Sequence, residues 1–417
     1  MERPIFLLAL LTFIRTFSAH AEVAPTHDQL FPYYAEYCAT TQITPVGEKK
    51  GGLGGHAVLY IKGACRDRDA AYPRLKICDE SVRDMTDPES GAAISTDQVF
   101  SNVNWIAVDG KRMLVDGGLA PGATVDVPAR QALEARVLEL GIFRGVEVHA
   151  KYKTKWKSEL SDEANLVHGA LGTDFALSWG RNLYCTRMPL TREKIPLIVN
   201  ELNALNEELL ASPKGYNWNL LADNCTHTTH NALAAAGVWP ERGRNEFLAL
   251  QLFNLAVPSN DFIDLTELGN DTDLTDLATI YRNETFRRSV LDERSLAVRP
   301  GVLTEIIPIR AENRLFETGS GFLILDIPLP NFKKLGFNRI LRSPRYSDLG
   351  ANLEAMQLRY ERAIHELESG SRTYDQVVRE HGELGFDPGF ARFFLNYTEA
   401  LKNHLETTRS LRARIRP

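Results

Sequence analysis

The order of patterned segments predicts an α+β protein, with strands early in the chain and helices later. Two stretches carry that reading. Residues 51–61, GGLGGHAVLYI, end in five apolar residues after His56 and read as a buried strand. Residues 216–239, YNWNLLADNCTHTTHNALAAAGVW, turn helical at Cys225: Thr229, Ala232, Leu233 and Ala236 recur at spacings of three and four, and Gly237 supplies the stop.

Between these stretches, residues 105–108, the pair Asp109-Gly110 and residues 112–115 read as a β-hairpin, which residues 125–127 extend. Residues 130–140 are helical, with Leu133, Val137 and Leu140 on one side, and residues 146–152 alternate as a strand. Residues 191–210 form an amphipathic helix carrying Ile198, Leu202, Leu205 and Leu209. The pattern changes after Pro240. Residues 258–300 are polar and Asp-rich, with a short helix near 274–281, and read as connecting structure or a substrate-side loop. Residues 304–309 and 321–327 read as strands of a small β element. Leu353, Met356, Tyr360, Ala363 and Leu367, then Phe390, Phe394, Tyr397, Leu401 and Leu405, describe a C-terminal helical hairpin broken at 385–389. Packing on the preceding domain is its plainest role; dimerisation and docking of a protein partner are the alternatives. The expected organisation is thus a leader at 1–21, a main domain at 22–250, an accessory loop and β region at 251–345 and the hairpin at 346–417.

Residues 1–21 open with Arg3, continue through an apolar run and end at Ala19-His20-Ala21, the pattern of a secretory signal peptide. Arg15 interrupts the run, so an uncleaved anchor is the other reading. No later segment has the unbroken apolar length of a membrane span, which places the mature chain in an envelope or extracellular space. The 417-residue chain carries a formal charge of −6, with no basic footprint for nucleic acid.

The five cysteines are Cys38, Cys65, Cys78, Cys185 and Cys225. In an exported protein the first four can pair in three ways and leave Cys225 as the free thiol. Cys65 and Cys78 flank a segment joining two strand-like runs, which favours that pair; five reduced thiols are the alternative.

Cys225 and His56 are the candidate catalytic residues. Asp223 and Asn224 are good N-caps, so the Cys225 thiol falls at the positive end of a helix, where thiolate is favoured and backbone N–H groups can hold an oxyanion. Its polar neighbours argue against burial. His56, at the start of its strand, is the candidate base. The glycines before it lack the Lys-Ser/Thr and the following helix of a phosphate loop. His227 and His230 with Cys225 form a C-x-H-x-x-H string, but at about 100° per residue His227 lies roughly 200° round the helix from Cys225. Both histidines therefore read as packing or surface residues, and neither a metal nor a cofactor is expected.

A strand bearing Gly-Gly-His-Ala followed later by Y-N-x-x-L-x-x-x-N-C-x-H resembles the circularly permuted, papain-like branch of the NlpC-type cysteine hydrolases, which includes lecithin retinol acyltransferase-like proteins. Trp156, Trp179-Gly180, Tyr184, Leu190-Thr191 and Asn224-Cys225 are similar to a bacterial envelope family known as domain of unknown function 4105. The resemblance spans roughly residues 45–245. It implies an antiparallel sheet packed on a helix bearing Cys225 at its N-terminus, with Cys225 as nucleophile, His56 as general base and a third polar residue on the strand after the His strand. Asn104 and His149 are the candidates for that third position. The implied function is a secreted or periplasmic cysteine hydrolase acting on a peptide or cell-wall amide. A lipid acyl hydrolase or acyltransferase, a catalytically idle binding module and a metal site at His227 and His230 are the alternatives.

Overall fold

The structure, a computed structural model, describes residues 25–47, 55–212, 214–220, 223–243, 256–297, 299–317, 322–326, 332–369, 379 and 389–415. The expected leader and most of the glycine run before His56 lie outside these residues.

Among the described residues, seven strands and seven α-helices lie between His27 and Ala235. Helix α1 (His27–Leu30) leads into β1 (Tyr34–Thr40), β2 (His56–Lys62) and the small hairpin β3 (Ala64–Arg66) and β4 (Leu75–Ile77). Then come β5 (Gly91–Ser95), β6 (Ile106–Asp109), α2 (Lys111–Asp116), α3 (Val127–Leu140), α4 (Ala150–Lys153) and α5 (Asp162–Ala170). Strand β7 (Leu183–Pro189) is followed by α6 (Ile195–Ala211) and α7 (Cys225–Ala235). The rest comprises α8 (Pro258–Asp271), α9 (Leu277–Arg282), α10 (Glu284–Glu293), β8 (Leu303–Ile307), α11 (Phe332–Arg342), α12 (Leu349–Glu368) and α13 (Gly389–Ile415).

One six-stranded antiparallel sheet, in the order β6-β5-β2-β1-β7-β8, organises the fold. Both its faces are covered, which is why β1 and β2 are buried along their whole length and lack polar alternation. Ala39, Ala57, Leu59 and Ile94 face a core shared with α6, α7 and α8. Leu59, wholly buried, contributes on the order of 1.5–3 kcal/mol by leaving water. Cys38, Val58 and Tyr60 face the other way, against Leu114 of α2 and Leu177. The register sets Cys38 directly opposite Cys185, and these two form one disulfide; Cys65–Cys78 forms the other, leaving Cys225 free. Two such bonds are what an oxidising compartment sustains. No helix among the described residues is long and apolar enough to cross a membrane.

The expected α+β class and the helices over 130–140 and 191–210 are present, and α12 and α13 pack as the expected C-terminal pair. Four local expectations fail. Residues 112–115 are not a strand: Gly110 opens α2 and Gly117, left-handed at φ 62°, closes it after one turn that buries Leu114 and Val115. Residues 146–152 contribute only a bridge from Val148 to Phe100 before α4 begins. The short helix expected near 274–281 is present as α9, but the polar stretch around it is helical as well, through α8 and α10, because Phe262, Ile263 and Leu265 give α8 an apolar face that packs on β1 and β7. Finally, β8 forms no separate β element but completes the main sheet beside β7, and residues 322–326 are not a strand.

Candidate active site

Helix α7 starts where its sequence says it should. Asn224, extended at φ −138°, caps it: its side-chain oxygen accepts the N–H groups of Thr226 and His227 at 2.8 and 3.3 Å. This cap holds Cys225 as the first helical residue. It also occupies two of the first-turn amides, leaving the N–H of Cys225 as the one among the three that the cap does not use.

Cys225 is buried, 8% exposed, which corrects the expectation that its polar neighbours keep it in solvent. The reason lies downstream: Ala256, Val257 and Pro258, at the start of α8, close over the helix end. Burial pushes the thiol pKa up, while the Ala57 backbone N–H, Thr226 and Arg181 pull it down. The resting group is therefore a thiol rather than the thiolate expected from the helix end alone.

Cys225 and His56 line one cavity of about 610 Å3. Trp218, Leu220, Val257, Pro258, Leu323 and Leu325 supply much of its apolar wall, and Thr173 and Arg181 sit at its polar end. His56 is the first residue of β2, paired with Thr40 on the face turned away from α7, so the two side chains reach the cavity round the end of the strand. No hydrogen bond joins them in the resting structure.

What holds the imidazole is a chain of polar groups on that face. His56 Nε2 lies 2.8 Å from Ser95 Oγ, and Ser95 Oγ donates to Asp174 Oδ1 at 2.6 Å. Since the single Ser95 hydrogen goes to Asp174, Nε2–H is the donor to Ser95, and Nδ1 of the neutral ring carries the lone pair. Burial, and then the charge of Arg181, hold His56 down at about 3. Arg181 is itself 5% exposed and has no carboxylate within ion-pair distance among the described residues. Its guanidinium donates to Thr40 Oγ1 at 3.0 Å and Thr173 Oγ1 at 3.2 Å. Burial and the neighbouring Asp97 push the Asp174 carboxyl well above the ordinary range, so this acid pair keeps a proton where exposed carboxylates have lost theirs.

Neither sequence candidate for the third position touches His56. Asn104 accepts from Thr228 Oγ1 at 2.7 Å, tying the start of β6 to α7, and its own N–H donates to Asn206. His149 lies 2.8 Å from the Tyr216 carbonyl through Nε2. Ser95, which the sequence reading missed, is on β5, the strand paired with β2; its signal was the step from the apolar Gly91–Ile94 run into Ser95-Thr96-Asp97. His230 is committed through both ring nitrogens, to Asp261 at 3.0 Å and the Pro240 carbonyl at 2.9 Å, and stacks on Trp239. His227 contacts the capping oxygen of Asn224 at 3.2 Å. These are the packing roles that their spacing indicated.

Fold and site together define an α+β protein whose one free cysteine opens a helix at the wall of a largely apolar cavity, with an anchored histidine on the same wall. No protein-family model, no curated protein and no solved structure matches the chain.

Proposed function

We propose that this protein is a cysteine hydrolase of the permuted papain-like kind, working in the periplasm or outside the cell, with Cys225 as nucleophile and His56 as general base. The observation that carries the reading is the shared cavity: of five cysteines the single free one lies on it, together with a histidine whose Nε2 is fixed by Ser95 and whose Nδ1 remains to take a proton. The two groups rest as neutral thiol and neutral imidazole. Proton transfer from Cys225 Sγ to His56 Nδ1 accompanies attack on a carbonyl carbon, as the bound substrate brings the pair within reach. The Cys225 N–H then donates to the developing oxyanion, with the nearby Arg181 charge adding to its stabilisation. His56 returns its proton to the leaving amine, and water releases the acyl group from sulfur. Ser95 and Asp174 act through the imidazole by fixing its tautomer and are positioning residues.

A peptide or cell-wall amide is the favoured substrate. The apolar wall from Trp218 to Leu325 supports a second reading, an acyl ester or amide with an extended apolar group. Mass spectrometry of the protein after incubation with panels of peptide amides and acyl esters tests both. An acyl adduct on Cys225 that is lost in His56→Ala is the expected result, and the panel that yields it selects the substrate class. If no panel gives an adduct or turnover, the hydrolase reading fails and a binding role for the cavity replaces it.

A further inference from the structure

Arginines converge on a second pocket, remote in its lining from the Cys225 cavity. The hairpin of β3 and β4, closed at its base by the Cys65–Cys78 disulfide, carries Arg66, Arg68 and Arg74. Facing it are the last turn of α3, with Arg136, and the turn after it, with Arg144. These five side chains line a pocket of about 340 Å3 that shares no residue with the cysteine cavity. Only two carboxylates, Asp67 and Glu139, line it with them. The lining thus carries an excess of positive charge in a chain whose formal charge is −6, with Asp109 and Glu207 paired to its arginines from outside it.

The pocket is built by the backbone. Gly145, left-handed at φ +74°, approaches the hairpin so closely that a Cβ there would sit 2.2 Å from the Ala71 carbonyl oxygen. Arg66 is anchored by the carbonyls of Leu140 and Gly141, at 3.2 and 2.8 Å, where α3 ends. Arg144 donates one nitrogen to the Arg68 carbonyl at 3.0 Å and has no carboxylate within ion-pair distance among the described residues. Asp109 takes a single nitrogen from each of Arg66 and Arg68, at 3.4 and 3.0 Å, Glu139 a single nitrogen from Arg136 at 2.7 Å, and Glu207 a single nitrogen from Arg74, which also donates to the Tyr72 hydroxyl at 3.1 Å. A guanidinium has five N–H donors, so most of those in this pocket remain unspent. Burial disfavours the cationic form of Arg66, Asp109 opposes that effect, and the charges of Arg68 and Arg144 add to it, so the net shift is downward.

We propose that this pocket binds the phosphate or pyrophosphate group of an anionic ligand. A carboxylate offers two oxygens in one plane, enough for one guanidinium fork. Forks arriving from the hairpin on one side and the α3 turn on the other match a tetrahedral group with several acceptor oxygens and up to two charges. The volume leaves room for the group that the phosphate is attached to. A soluble phosphate ester and the headgroup of a phosphomonoester lipid share this chemistry.

Isothermal titration of the mature chain with inorganic pyrophosphate, at constant ionic strength, is the first test, alongside flotation with phosphatidylcholine vesicles with and without phosphatidic acid. The variants are Arg144→Ala, Arg144→Lys and the pair Arg68→Ala with Arg144→Ala. Arg68 is 58% exposed, so these leave the core intact. The wild type is expected to bind pyrophosphate saturably, each lost guanidinium weakening binding roughly tenfold or more, with Arg144→Lys falling between. Pyrophosphate binding without vesicle capture assigns a soluble ester. Capture that requires phosphatidic acid and is lost in the double variant assigns a lipid phosphate. Absence of both, or variants that bind as tightly as the wild type, overturns the proposal without touching the cysteine site.

Discussion

Replacing Ser95 with alanine removes the atom that joins His56 to Asp174. Both partners are buried, and Asp174 Oδ2 already lacks a hydrogen bond, so the variant leaves the Asp174 side chain with no partner and His56 Nε2–H with no acceptor. Each buried polar group stranded in this way costs about 1–3 kcal/mol. Because burial and Asp97 hold Asp174 towards its neutral form, the larger cost of a stranded charge does not apply, and the expected loss for the two groups is about 2–6 kcal/mol. Urea unfolding at neutral pH measures it, and the 15N-resolved imidazole signals of His56 report whether the Nε2–H tautomer survives. Asp174→Asn keeps an oxygen able to accept from Ser95, and its expected loss is under about 1.5 kcal/mol. A Ser95→Ala protein within 0.5 kcal/mol of the wild type, with His56 still locked in the Nε2–H tautomer, would refute the polar chain, taking roughly half of the smallest single-group cost as the limit.

Other consequences follow from the same contacts. His27, His56 and His404 are buried, and burial, followed in each case by a nearby arginine, lowers them to about 4, 3 and 4. Between the ordinary histidine value near 6.5 and those values the unfolded chain binds protons that the native chain does not. Stability is therefore complete above about pH 7 and falls as the pH drops, by about 2 kcal/mol per histidine at pH 5. His404→Gln, which keeps an acceptor for the Leu296 N–H, should flatten that slope by about one proton in urea titrations at several pH values. Removing the Cys38–Cys185 bond by paired alanines, across a separation of 147 residues, should cost about 5 kcal/mol by loop entropy, against about 3 for Cys65–Cys78 across 13; equal losses by calorimetry would contradict this. Asn224→Ala should lose about 1–2 kcal/mol as the α7 cap goes, read from the same unfolding curves.

The legible parts of this fold were those written in short-range pattern. The five apolar residues after His56, the capped Ala-rich helix after Cys225 and the Cys65–Cys78 spacing each specify a local structure, and each is present. Asp109-Gly110 misled because it is also hairpin chemistry; only the left-handed Gly117 beyond Leu114 and Val115 marks the intervening run as one helical turn. The orienting chain was hidden for a different reason. Ser95 and Asp174 meet across 79 residues, and neither carries a periodic signal. The burial of Cys225 depends on α8, whose polar, Asp-rich sequence conceals the apolar stripe of Phe262, Ile263 and Leu265.

The most direct measurement of the Cys225–His56 pair is the rate of iodoacetamide alkylation at Cys225 from pH 5.5 to 9.5, followed by mass spectrometry in the wild type and in His56→Ala. With the imidazole lowered to about 3 and the thiol raised, the thiolate–imidazolium form is a minor species whose population is independent of pH between those values. A functional pair adds to the directly ionised thiolate only as far as the thiolate, once formed, raises the neighbouring imidazolium above about 3, so it predicts a wild-type rate that flattens towards the acid end of the range. In His56→Ala that acid-side plateau disappears and the rate keeps falling tenfold per pH unit down to the lowest pH. Superimposable profiles in the two proteins would contradict the pair and with it the assignment of Cys225 as an activated nucleophile.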